Sequence, residues 1–158
     1  MNGVDDDSRD TCAELLHDAA RKGDASSVRT LLLRIPGHRR ADPEVQTQGY
    51  EETPLHIASA KGHSDVVSEL LRGRADVNAC RAGGFTALHL ATTIDVATLL
   101  LQHGADTQIK STEGYTASER SLGGAAVQDF LSDLPSGEYK QHLAGETTLM
   151  KVQGMEGA

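Results

Sequence analysis

The feature that most constrains this chain is that it repeats itself. Thr53 to Ala58, TPLHIA, overlays Thr86 to Ala91, TALHLA, at a period of 33 residues. Downstream, LLRGRADVN from Leu70 overlays LLQHGADTQ from Leu100 at a period of 30, so three residues are missing within the later unit. Counting back 39 residues from His56 reaches His17 in LLHDAARKGD, where Ala19 aligns with Ala58, Gly23 with Gly62 and Leu31-Leu32 with Leu70-Leu71. Going forward, GYTASERS from Gly114 aligns with GFTALHLA from Gly84. Four units therefore cover about residues 11–133. Such self-similarity marks a stacked array, because one unit cannot bury its apolar face alone.

The second unit shows the physics of all four. Thr53 is an N-cap residue whose hydroxyl suits a free first-turn amide, and Pro54 follows at the first helical position, where its missing N–H costs nothing. Leu55, Ala58 and Ser59 share one face, with small residues that permit close helix approach. Gly62 suits the left-handed residue that ends such a helix. Val66, Val67, Leu70 and Leu71 then form an apolar stripe at helical spacing. Ala75 to Asn78 leads into a turn, and Gly83-Gly84 tightens the connection to the next unit. The spacing predicts an all-α array of about four helix–turn–helix units. Aromatics at 3% with no Trp agree, since a core of Leu, Val and Ala favours packed helices over a β-sandwich.

At this point TPLHIA, KGHSDVV, GFTALHLA and LLQHGAD together resemble the repeat signature of the ankyrin family. The resemblance implies an ankyrin-repeat solenoid with hairpin-like fingers projecting to one side. It also implies partner binding by the finger tips and the first helices, with no enzymatic activity. It gives His56 and His89 a structural task, hydrogen-bonding the backbone between neighbouring repeats.

The departures from regularity carry their own expectations. The cap Thr precedes the paired apolar residues of the second helix by 17 residues in unit two (Thr53 to Leu70). The same distance is 14 in units three (Thr86 to Leu100) and four (Thr116 to Phe130). Either the first helix ends early there or the turn between helices is compressed, so units three and four are shortened. Arg74 stands where unit three has Gly104, which predicts that Gly73 caps its helix one residue early. Between units one and two the chain exceeds the 33-residue period by six residues, 39 minus 33, and an extended loop at 36–47 replaces a standard finger. Thr11 with Glu14 and Thr116 with Glu119 have capping-box spacing. The organisation expected is a flexible acidic N-terminus at 1–10 and a repeat domain at 11–134, with units at 11–35, 48–80, 81–110 and 111–134. A mobile tail at 135–158 follows.

The net charge of -8 argues against nucleic acid and against anionic membrane surfaces as partners. No apolar run approaches a membrane span, and the N-terminus does not resemble a secretory signal. Cys12 and Cys80 form no disulfide framework, so an intracellular protein, cytoplasmic or nuclear, is expected. His17, His56 and His89 recur at matched positions but lack the spacing of metal ligands, and no nucleophile elbow or phosphate loop is present. No metal, cofactor or catalytic residue is assigned. The basic residues Arg34, His38, Arg39 and Arg40 read either as a solvated loop or as a site for an acidic partner.

The binding surface expected is the concave one formed by fingers and first helices. It carries Arg21 and Lys22 from unit one, Tyr50, Glu52 and Lys61 from unit two, Phe85 and Thr92 from unit three, and Glu113 and Tyr115 from unit four. Tyr50, Phe85 and Tyr115 sit just before cap threonines, where aromatics serve either as interface hot spots or as packing between fingers. The leucine-to-DVN spacing around Asn78 resembles asparagine hydroxylation targets in ankyrin repeats, although an Asn there also simply makes the turn. The leading function is a non-catalytic protein–protein interaction module, a free-standing monomeric adaptor or inhibitor. The alternative is a structural or regulatory subunit of a permanent multiprotein assembly.

Overall fold

The computed structural model describes residues 7–33 and 40–134. Over these residues the chain forms seven helices: α1 (Asp7–Lys22), α2 (Ala25–Leu32), α3 (Pro54–Lys61), α4 (Ser64–Arg72), α5 (Ala87–Leu90), α6 (Ile94–Gln102) and α7 (Gly124–Ser132). They stack in two layers. The first helices α1, α3 and α5 contact one another in series, and so do the second helices α2, α4, α6 and α7. Each first helix also packs on its own second helix, α1 on α2, α3 on α4 and α5 on α6.

The apolar stripes read from the sequence form the seam between layers. Val66, Val67, Leu70 and Leu71 are buried in α4, Val96, Ala97, Leu100 and Leu101 in α6, and Val127 and Leu131 in α7. α3 is buried along Pro54 to Ser59 because α1, α4 and α5 all pack against it. It ends at Gly62, whose φ of 74° is left-handed, and the His63 amide then reaches back to the Ala58 carbonyl at 3.0 Å.

The shortening of unit three is an early helix end. α5 is a single turn of four residues, where α3 has eight. Ala91 and Thr93 are extended, with ψ of 121° and 153°, so the chain crosses to α6 without completing a second turn. Thr93 caps α6 by accepting from the Val96 amide at 3.3 Å. In unit four the stretch 116–121 is only a turn. Gly123 precedes α7 because a Cβ there would lie 2.8 Å from the Ala91 carbonyl oxygen and 2.2 Å from a Val127 methyl. The first-helix layer thus tapers from 16 to eight to four residues and then to a turn, while the second helices keep eight or nine.

Three expectations need correction. Thr11 and Glu14 do not cap a helix: α1 begins at Asp7, so both lie inside it, and the segment 1–10 is helical in its last four residues. Gly73 does not cap α4 in a left-handed conformation: its φ is -73°, and Arg74 itself takes φ 69°. Gly73 is instead a close approach, since a Cβ there would lie 2.7 Å from Leu32 Cδ1 in the neighbouring unit.

The third correction concerns the loop at 36–47, which does not replace the whole finger. Asp42 accepts from the Glu44 amide at 2.9 Å, just as Asp76 accepts from Asn78 and Asp106 from Gln108. ADPE from Ala41 is therefore the same turn as ADVN from Ala75. Five of the six extra residues fall between Leu32 and Ala41, which are nine positions apart against four from Leu71 to Ala75. Arg34, His38 and Arg39 lie outside the described residues, as does the segment 135–158.

Candidate functional site

Three fingers project from the N-terminal ends of the first helices. In the first, the Thr47 amide donates to the Glu52 carbonyl at 2.9 Å. In the second, Arg81 N–H donates to Phe85 O at 3.0 Å, beside an isolated antiparallel bridge between Cys80 and Thr86. In the third, Ser111 N–H donates to Tyr115 O at 2.9 Å. The fingers are joined edge to edge: the Ala82 amide donates to Tyr50 O at 3.1 Å, and the Thr112 amide donates to Gly83 O at 2.9 Å. A row of hydrogen-bonded fingers is one continuous surface whose backbone groups satisfy one another.

Histidines anchor that row to the helices. In unit two His56 Nδ1 accepts from the Thr53 amide at 3.2 Å, so its Nε2–H is the donor to Phe85 O at 3.1 Å. His89 repeats the arrangement, accepting from the Thr86 amide at 3.2 Å and donating to Tyr115 O at 3.0 Å. One neutral tautomer satisfies both contacts. Burial holds both imidazoles below the ordinary histidine pKa, in the direction this geometry requires. His17 faces the Ala13 carbonyl at 2.9 Å and the Glu52 carbonyl at 3.2 Å. Each of these rings is engaged by backbone, which accounts for the recurrence of histidine at matched positions. In unit four Glu119 takes the capping place, accepting from the Thr116 amide at 2.8 Å and hydroxyl at 3.0 Å. Those donors hold its carboxyl below the usual range. Among the described residues no further finger follows for a ring nitrogen to reach.

The nine expected contact residues fall into two groups. Tyr50, Glu52, Phe85, Glu113 and Tyr115 lie at the finger end. Tyr50 is 70% and Tyr115 46% exposed, so these two rings are presented to solvent. Phe85 is half-buried, edge-on to His89 at 5.7 Å and under the Arg81 guanidinium at 5.5 Å. Glu52 pairs with Arg81 across two fingers, and Glu113 pairs with Arg120, whose guanidinium lies 5.8 Å from the Tyr115 ring. Arg21, Lys22, Lys61 and Thr92 lie at the opposite ends of the first helices, roughly 12 Å away along an eight-residue helix. Lys22 pairs with Asp18 at 2.7 Å, and the Thr92 hydroxyl donates to Ser59 O at 3.3 Å. Between α1 and the first finger lies a cavity of about 630 Å³ bordered by His17, Arg21 and Thr47.

Asn78 bridges two units: its Oδ1 accepts from the Asp106 amide at 2.8 Å and its Nδ2 donates to Gly104 O at 3.4 Å. Glu44 does the same one unit earlier, accepting from the Asp76 amide at 2.7 Å, and partial burial raises its pKa. Sequence reasoning missed Glu44, although the ADPE/ADVN match marks it. Also missed were Arg81, which joins two fingers, and Arg120, which pairs within unit four, for which the sequence offers no signal beyond charge.

A family profile described as ankyrin repeats in three copies matches residues 16–111. A protein named probable E3 ubiquitin-protein ligase from Oryza sativa subsp. japonica is 47% identical over 75 residues, 48% of this chain and 14% of its own length. An ankyrin repeat-containing protein of Schizosaccharomyces pombe is 34% identical over 68 residues, 42% of this chain and 33% of its own. An E3 ubiquitin-protein ligase of Arabidopsis thaliana is 38% identical over 108 residues, 66% of this chain and 20% of its own. The chain thus spans a third or less of the length of these curated relatives.

Proposed function

The chain belongs to the ankyrin-repeat family, and we propose that it is a non-catalytic adaptor or inhibitor that binds one partner protein through its finger and first-helix surface. Ankyrin repeats generally mediate protein–protein interaction. The observation that carries the reading is the row of three cross-bonded fingers, pinned by His56 and His89, that presents Tyr50 and Tyr115 to solvent. A rigid row orders few side chains on binding, and large exposed tyrosines are the residues that dominate interface energetics. The ion pairs of Glu52 and Glu113 hold the remaining polar groups of that face in place. Arg21, Lys22, Lys61 and Thr92 would meet a partner only if it reaches along the full length of the first helices. No helix among the described residues is long and apolar enough to cross a membrane, and we place the protein in the cytoplasm or nucleus as a monomer.

Affinity capture with the wild-type chain and matched surface variants tests this. Tyr50→Ala and Tyr115→Ala should each weaken capture of the partner by ~1 to 3 kcal/mol with circular dichroism unchanged. Gln102→Ala, exposed on the second-helix side, should leave it intact. Loss with Gln102→Ala and no loss with the tyrosine variants would place the partner on the other face. Hydroxylation of Asn78 belongs to the same proposal as a modification. It would alter a side chain that bridges units two and three, and intact-mass measurement on protein from its native cell tests it.

A further inference from the structure

On the second-helix side of units one and two, the C-terminal ends of α2 and α4 border a cavity of about 380 Å³. Arg29, Arg40, Arg72 and Arg74 line it, with Glu69 as its one carboxylate. Arg29 and Arg72 both approach the same oxygen of Glu69, at 2.6 and 3.5 Å, and Arg40 donates to the Gly73 carbonyl. Four guanidiniums thus line a cavity with one carboxylate, to which only Arg29 and Arg72 are paired, in a chain whose net charge is -8.

Helix dipoles account for part of this. Arg29 and Arg72 sit in the last turns of their helices, where cations are favoured. They do not account for Arg74, which lies beyond α4. Its φ of 69° is left-handed, at a position where the next unit has Gly104 with φ 86°. Its guanidinium pairs with no group among the described residues. An arginine kept in a strained backbone position without a structural contact is the kind of outlier that points to a function. Leu33, 54% exposed, adds an apolar side chain to the same cavity.

We infer that this cavity is a second docking surface, for an acidic protein segment in which carboxylates flank an apolar side chain. Guanidinium forks match carboxylates in bidentate pairs. The cluster's excess positive charge selects an acidic segment, and Leu33 favours a peptide with an apolar residue over a free small anion.

The test is a fluorescence anisotropy titration of the full chain with a labelled peptide in which glutamates flank a leucine. Peptides with glutamine or phosphoserine in the glutamate positions serve as comparisons. The glutamate peptide should bind with strong salt dependence, and Arg72→Glu and Arg74→Glu should each weaken it by at least ~10-fold. Arg74→Gly should weaken binding while raising the melting temperature, a combination that a purely structural arginine would not give. No binding of the glutamate peptide at low salt, or equal binding by all variants, would overturn the inference. Preference for the phosphoserine peptide would overturn it in favour of phosphate recognition. Sedimentation showing a dimer that Arg72→Glu dissociates would overturn it in favour of a second copy.

Discussion

The two helical layers of this molecule differ in what they tolerate. Second helices α2, α4, α6 and α7 keep eight or nine residues through all four units. First helices shrink from 16 residues to a bare turn. Yet the fingers of units three and four are held by matching histidine contacts from units two and three, at 3.1 and 3.0 Å. The stack therefore depends on the threonine-to-histidine cap and the second-helix stripe, while the last turn of a first helix is dispensable. Thr92 shows what substitutes for it: its amide and hydroxyl both donate to Ser59 O, at 3.4 and 3.3 Å. The Leu122 amide does the same to His89 O at 3.0 Å. An extended linker thereby satisfies a carbonyl at the neighbouring first helix.

The largest effect should come from the uniform layer. Leu70→Ala and Leu100→Ala both remove fully buried side chains from equivalent places, so each should cost ~2 to 5 kcal/mol in denaturant melts. A large difference between them would mean that unit three is looser than unit two in this layer as well.

Next come the anchors. His56→Ala and His89→Ala each leave a cap amide without a partner and remove one of the two donors to a neighbouring finger carbonyl, at ~1 to 3 kcal/mol. Glu119→Ala should cost less, since Glu119 bonds only within its own unit.

The same rings set a pH dependence. Burial lowers the folded pKa of both, so their contribution is complete above the unfolded value of about 6.5. Below it the unfolded chain takes up protons that the folded chain resists, and stability falls until the depressed folded values are reached. Thermal melts taken from neutral to mildly acidic pH should show this loss, and the double variant His56→Gln, His89→Gln should flatten it.

The smallest effect sharpens the comparison at one residue. Arg74→Gly gives unit two the left-handed glycine that unit three already has and should stabilise by ~1 kcal/mol. A loss of stability would mean that the arginine makes a contact worth more than the strain.

How much of this was legible in the sequence follows the same division. The caps, the stripes and the histidine recurrence could be read directly, because each is a local pattern repeated at fixed spacing. The early end of α5 was left open, since three missing residues fit either a shorter helix or a tighter turn. Gly73 was misassigned because its reason is Leu32 in the neighbouring unit, a contact no local pattern encodes. Arg81 went unseen for the same cause: its partner Glu52 is met across two fingers, whereas Arg120 pairs with Glu113 inside unit four. Tyr50 and Tyr115 were legible as candidates, and Phe85 differs from them by packing on His89.

Hydrogen exchange with mass spectrometry on the chain alone addresses the central contrast most directly. Amides of α4 and α6 should exchange at similar slow rates, those of α3 slowly, and those of α5 and of residues 116–121 markedly faster. Equal protection of α3 and α5, or an α6 exchanging as fast as residues 116–121, would contradict the account of one uniform layer supporting one tapered layer.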